Sequence, residues 1–316
     1  MVPLRIGGDQ LGLIIADLQE EGSFDEAVKG CDGVFHVAAS MEFDANTDEN
    51  NESYVRSNII VPAIKGTENL LNSCLRSNTV KRVVFTSSIS TITAKDSYGN
   101  WRSVFDKSCR TTFVHVLNAK ASGWVYVLSE LLTEEAAFKF ANANGIYLVS
   151  VTFLTTTIPS SIQVLLSPVT GDPKYFSILS AVKARMGSVV LVHIEDICRT
   201  HIFLMEQARA EGKYICCIRS CLMSEMITRL VQENPSSNIQ RNVAINNFRK
   251  MKFDFFIYKH EIEDINHQTI IACVDYGFLP HTRRRYIVCP LSYHPSNQNS
   301  IQLLMHATTL TEFTET

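Results

Sequence analysis

Residues 33–39 read GVFHVAA, apolar at every position but His36. No polar–apolar alternation separates an inner face from an outer one. The run therefore predicts a strand covered on both sides, as in a parallel sheet. Working outward, VKRVVFT at 80–86 repeats the pattern, as do Gly12 to Leu18 with its Leu13-Ile14-Ile15 core, Tyr147 to Leu154, and SVVLVHI at 188–194. Helical stretches fall between these runs. Ser23 to Lys29 carries a Ser23/Glu26 capping-box pattern and Gly30 as a stop. Pro62 to Asn78 has proline in its first turn, with Ile64, Asn69, Leu70, Leu71, Cys74 and Leu75 on its mostly apolar stripe. Ala119 to Asn142 places Val125, Leu128, Leu132, Ala136 and Phe140 at helical spacing and ends at Asn144-Gly145. Strands alternating with helices predict a doubly wound α/β sheet, with its ligand crevice at the carboxyl ends of the strands.

Composition narrows the function classes. The 316 residues are 46% apolar and 19% charged, enough for a sizeable core. Lys+Arg is 29 against 32 Asp+Glu, a net charge of −3, which argues against electrostatic binding of nucleic acid. No apolar run reaches the roughly 18–20 residues of a membrane span, and Met1 to Gly8 lacks the apolar core of a signal peptide. Nine scattered cysteines without zinc spacing read as buried free thiols of a reducing compartment, so a cytoplasmic location is expected. His36, His193 and His201 sit on or beside apolar elements, and no pair has metal spacing. No metal site is expected. Glu261 to Val274 is predicted helical, whereas from His281 onward there is little periodicity and an irregular tail is expected.

Three candidate groups stand at strand ends: Asp17-Leu18, Val37-Ala38-Ala39, and Thr86-Ser87-Ser88. Small residues such as Ala38 and Ala39 let a flat ligand approach the backbone, and the Ser88 hydroxyl can hydrogen-bond a substrate carbonyl. A Ser-Ser pair after a strand is more often a turn or a cap.

Longer phrases carry more weight. GCDGVFHVAAS (30–40), SNIIVPAIKGTENLL (57–71), KRVVFTSS (81–88), GWVYVLSE (123–130), LTEEAAFKFA (132–141) and VHIEDICRTHIFL (192–204) occur in this order. Together, over residues 11–280, they resemble the plant extended short-chain dehydrogenase/reductases, in the anthocyanidin reductase and dihydroflavonol 4-reductase branch. The resemblance implies a Rossmann-like sheet with a smaller C-terminal substrate lobe, and NADPH-dependent reduction of a small flavonoid-type substrate. It implies that Ser88 and Tyr126 are catalytic, the Tyr126 hydroxyl protonating the substrate oxygen. It also implies that Asp17 and Leu18 contact the adenine, and that Val37, Ala38 and Ala39, with Thr86 and Ser87, line the dinucleotide crevice.

The chain departs from that pattern in four places. Glu130 stands where the family has a lysine that lowers the tyrosine pKa and holds the ribose. Tyr126 and Glu130 are i and i+4 and share a helix face. A carboxylate there disfavours tyrosinate, by several kcal/mol relative to a cation; the bland alternative is a helix former on a solvated face. No G-x-G-x-x-G precedes a helix anywhere in the chain. The first strand, its Gly-rich turn and its helix are therefore expected to be lacking, with strand edges left open. VTFLTTTIP (151–159) alters a loop that shapes the family's substrate pocket, and the match thins at 222–258 and beyond 280. The expected organisation is an incomplete dinucleotide-binding domain over 1–155 and a substrate lobe over 156–280, with 187–204 returning to the sheet and 281–316 unmatched. The expected function is that of a truncated, catalytically impaired reductase. The alternative is a non-catalytic paralogue or gene-model fragment acting as a binding or regulatory partner.

Overall fold

The computed structural model describes residues 2–4, 11–40, 42, 52–93, 95, 98–102, 104–105, 108–153, 159–186, 188–191, 194–216, 219–225, 227–228, 252–253, 286–289 and 302–307. The first half holds β1 (Val2–Leu4), β2 (Leu11–Ala16), α1 (Asp25–Val28), β3 (Gly33–His36), α2 (Glu52–Val55), α3 (Val61–Ser77) and β4 (Arg82–Ser88). Next come β5 (Val104–Phe105), α4 (Phe113–Ala119), α5 (Trp124–Asn144) and β6 (Tyr147–Phe153). The second half holds α6 (Pro159–Thr170), α7 (Pro173–Met186), β7 (Ser188–Leu191), α8 (Ile194–Glu206), β8 (Gly212–Ile215) and β9 (Arg219–Leu222). Three short strands follow: β10 (Lys252–Phe253), β11 (Tyr286–Cys289) and β12 (Gln302–Ala307).

Among the described residues the main sheet has eight strands, in the order β1-β2-β12-β11-β3-β4-β6-β8. β11, β3, β4, β6 and β8 run parallel. The apolar runs are explained by two covered faces. Val34, Val83, Phe85 and Leu148 pack with Ala27, Leu70, Leu71 and Ala137 from α1, α3 and α5. Their neighbours Phe35, Val84, Val149 and Val151 pack with Ile197, Leu204 and Met205 of α8. Successive residues of one strand thus enter opposite layers, and both layers are apolar. α8 approaches so closely that a Cβ on Gly33 would stand 2.3 Å from the Met205 sulfur.

Several elements differ from expectation. Ser23 does not cap α1; its Oγ accepts the Asp17 N–H at 2.7 Å, and the helix begins two residues later. The chain before Val61 is already helical, through a π-turn at Arg56–Ile60 back to Glu52. Asn78, at φ 54°, closes α3 in the left-handed conformation that glycine usually supplies. The long helix starts at Trp124 rather than Ala119, because Gly123 at φ 81° breaks the chain after α4. Residues 188–191 do not join the main sheet: β7 pairs antiparallel with β9 in a sheet of its own. The second-half strand that extends the main sheet is β8.

The largest difference concerns the tail and the strand edges. β11 pairs parallel with β3, and β12 pairs antiparallel with both β11 and β2. The tail expected to be irregular therefore contributes two strands, and the edges of β2 and β3 expected to be open are paired. Backbone N–H and C=O groups at an edge strand recruit any available strand, and periodicity within 281–316 did not reveal this use. The sheet is consequently mixed, not wholly parallel. The helix expected over 261–274 and the loop at 154–158 lie outside the described residues. Among the described residues no helix is long and apolar enough to cross a membrane.

Candidate active site

The carboxyl end of β4 and the first turns of α5 bring the chemistry-bearing residues together. Ser88 is the last residue of β4, and its Oγ accepts both the Ser90 backbone N–H at 3.3 Å and the Ser90 hydroxyl at 2.9 Å. A side-chain hydrogen bond also joins Ser88 to Tyr126 on α5. Burial raises the Tyr126 hydroxyl well above the usual phenol range, and the Glu130 charge raises it further, against the lowering effect of Ser88. Tyr126 therefore remains a protonated donor across the physiological range.

Glu130 is not on a solvated face; it is 5% exposed. Burial, with a further contribution from the Glu134 charge, pushes its carboxyl up to about 8. At neutral pH it is therefore mostly an uncharged acid, which corrects the expectation of a fixed anion beside Tyr126. Glu134, one turn on, is fully buried and answered: it pairs with Lys213 of β8 and accepts the Ser150 hydroxyl of β6 at 2.6 Å.

Glu130 lines a small cavity of about 20 Å³ with Leu18, Ala38, Ala39, His36 and Thr133. His36 Nε2 lies 2.9 Å from Thr67 Oγ1 of α3, whereas among the described residues its Nδ1 has no partner. Burial holds the ring neutral, its pKa lowered to about 4. Among the described residues Ser40 Oγ and Thr133 Oγ1, on the same cavity, also have no partner.

The other residues expected in the crevice have these partners. Asp17 is exposed, and its Oδ1 accepts the Gln19 N–H at 2.8 Å. Leu18 is held by its carbonyl, which accepts Asn69 Nδ2 at 2.7 Å. Val37 packs in the α8 layer. The Ile197 carbonyl accepts His201 Nδ1–H at 2.8 Å, so Nε2 accepts the Thr86 hydroxyl at 2.9 Å and binds β4 to α8. Ser87 Oγ lies 3.4 Å from Thr91 Oγ1. The structure thus gathers Leu18, Ala38, Ala39 and Glu130 at one cavity and Ser88 with Tyr126 beside it, leaving Asp17, Val37, Thr86 and Ser87 outside. His36, Ser40 and Thr133 were missed as cavity residues; the one signal was Thr133 lying three residues beyond Glu130 on the same helix.

A family model for the 3-beta hydroxysteroid dehydrogenase/isomerase family matches residues 6–115. Dihydroflavonol 4-reductase of Arabidopsis thaliana is 34% identical over 281 residues, covering 84% of this chain and 69% of that protein. The chain belongs to the dihydroflavonol 4-reductase and anthocyanidin reductase family. A putative anthocyanidin reductase of Ginkgo biloba is 41% identical over 215 residues, 66% of this chain and 60% of that protein. The crystal structure of vestitone reductase from alfalfa superposes with a TM-score of 0.56 at 27% identity, covering 83% of this chain and 82% of that one.

Membership of this reductase family implies a nicotinamide dinucleotide, and the observed arrangement tests that fit. The cavity beside Glu130 has about 20 Å³, room for a water-sized group. The strand next to β3 is β11, and the sequence that follows it, from Pro290-Leu291, has no G-x-G-x-x-G whose amides would face a pyrophosphate. Glu130 cannot offer ribose hydroxyls the three N–H donors of an ammonium. In this arrangement the residues do not fit NADP(H) as the family's pattern would hold it.

Proposed function

We propose that this chain is a catalytically impaired member of the flavonoid reductase family that retains small-molecule binding. Buried Glu130 on the Tyr126 face of α5 is the observation that carries the reading. A lysine one turn from the tyrosine would favour tyrosinate and make proton transfer facile. Glu130, mostly uncharged at neutral pH, supplies no such cation, and the buried tyrosine hydroxyl can donate a hydrogen bond to a ligand oxygen but is slow to release its proton. The ligand class is a flavonoid-type phenolic, supported by the named activities of the relatives. A reducing, cytoplasmic setting is supported by the free buried thiols of Cys31, Cys74, Cys109 and Cys216. The Ser88–Tyr126 hydrogen bond favours a second reading, an active reductase.

One titration separates the two. NADPH is added to purified protein while nicotinamide fluorescence is followed, and turnover of a dihydroflavonol is then assayed with wild type and with Glu130→Lys. The expected result is no saturable binding in the micromolar range and no turnover by either protein. Micromolar binding with substrate-dependent NADPH consumption by wild type overturns the proposal.

A further inference from the structure

A second cavity, of about 130 Å³, opens on the other side of α5. It is lined by Trp101, Trp124, His115, Thr93 and Arg185 of α7, among others. Its volume is close to the ~150 Å³ that encloses one benzene ring. Hydrogen bonds through Ser90 link its lining to the candidate site. Ser90 bonds to Ser88, and the Ser90 carbonyl accepts both the Thr93 hydroxyl at 3.1 Å and the Thr111 hydroxyl at 2.5 Å.

The walls are aromatic and the field is positive. Trp101 meets His115 edge-on, with ring centroids 5.1 Å apart. Lys95 Nζ stands 5.0 Å from the Trp101 centroid, and Lys120 Nζ stands 5.3 Å from that of Trp124. Lys120 is neutralised by Glu52 at 2.9 Å. Arg185 is different. Its Nε donates to the Ala181 carbonyl at 3.2 Å within its own helix, and among the described residues no carboxylate pairs with it. His115 is held below its ordinary pKa by burial and then by the charges of Lys95 and Arg185, so both cations act on the cavity. A half-buried guanidinium facing a ring-sized, tryptophan-walled space lacks only a planar anion, which it can engage by paired N–H donors.

We propose that this cavity binds one aromatic ring bearing an acidic group, a carboxylate or an acidic phenol, which Arg185 recognises. The inference rests on the small-molecule-binding reading above and narrows its ligand from phenolics in general to acidic aromatics.

The two tryptophans of the chain both line the cavity, so their two indole N–H resonances report occupancy directly. The full chain, labelled with nitrogen-15 at tryptophan, is titrated with 4-hydroxybenzoate and, separately, with its neutral methyl ester. Both resonances are expected to shift saturably with the acid, and the ester is expected to bind about tenfold more weakly or worse, the size of one lost charge-assisted hydrogen bond. In Arg185→Met, with Arg185→Gln as a second variant, acid and ester are expected to become equal. The wild-type comparison stands even if a variant fails to fold. Equal binding of acid and ester by wild type, an acid preference that survives removal of Arg185, or no shift with either probe overturns the proposal. NADPH plays no part in this measurement, so the impaired-reductase reading and the acid preference fail separately.

Discussion

Glu130 and His36 face one cavity with opposite proton affinities, and this makes stability depend on pH in a particular window. Glu130 is raised from 4.5 to about 8, so the folded state holds a proton that the unfolded chain releases above 4.5, and its contribution is lost as pH rises towards 8. His36 is lowered from 6.5 to about 4, so its contribution is present above 6.5 and is lost as pH falls towards 4. Between 4.5 and 6.5 the two slopes oppose each other; between 6.5 and 8 only the Glu130 slope remains. The wild-type unfolding free energy is expected to fall there by about 1.4 kcal/mol per pH unit. Glu130→Gln, which keeps the shape and cannot ionise, is expected to flatten that decline. Denaturant melts at a series of pH values check it, and an unchanged slope in the variant shows that another group is responsible. The identity of residue 130 and its i, i+4 relation to Tyr126 were legible in the chain. Its burial, and hence its neutral state, was not, because an ionisable residue's protonation depends on solvent exclusion by α3 and β3, which local sequence does not encode.

At the scale of elements, α5 is the member that ties the site to the sheet. Its Glu134 reaches β8 through Lys213 and β6 through Ser150, so one carboxylate links a helix and two strands. The Lys213 side chain is 9% exposed and that of Glu134 is 1% exposed, so either charge left alone is a buried uncompensated ion. Lys213→Met is expected to destabilise by about 3–5 kcal/mol. Lys213→Met combined with Glu134→Leu is expected to recover much of that loss, since removing both charges also removes their desolvation cost. Thermal or denaturant melts of the single and double variants measure it; a double variant no more stable than the single one would assign Glu134 another role. Helices and strands of the first half were foreseeable because an apolar stripe or an uninterrupted apolar run is a local signal. Their ends were less so. Ser23 read as a cap and instead serves the Asp17 turn, and Gly123 moves the start of the long helix from the expected Ala119 to Trp124.

The whole molecule has two of its inner strands drawn from the far end of the chain. β11 and β12 stand between β2 and β3, so sheet continuity there depends on contacts between residues about 250 to 300 positions apart in sequence. Such closure is slow to form and is the least locally encoded part of the fold. Removing residues 281–316 is expected to leave amides of β4 and β6 protected while those of β2 and β3 exchange rapidly, with increased self-association through the freed edges. Hydrogen exchange and light scattering measure this; full retention of β3 protection would show that β11 is dispensable. Sequence alone determined the alternating α/β order, the two-faced apolar strands, the family, and the candidates Ser88, Tyr126 and Glu130, because each is carried by a contiguous phrase or a helical spacing. Only the tertiary structure decided that 286–289 and 302–307 fill the sheet, that 188–191 leaves it, that Glu130 is a neutral acid, and that Arg185 faces two tryptophans from distant segments. Each of these depends on strand pairing or burial between parts of the chain far apart in sequence, which no local pattern records.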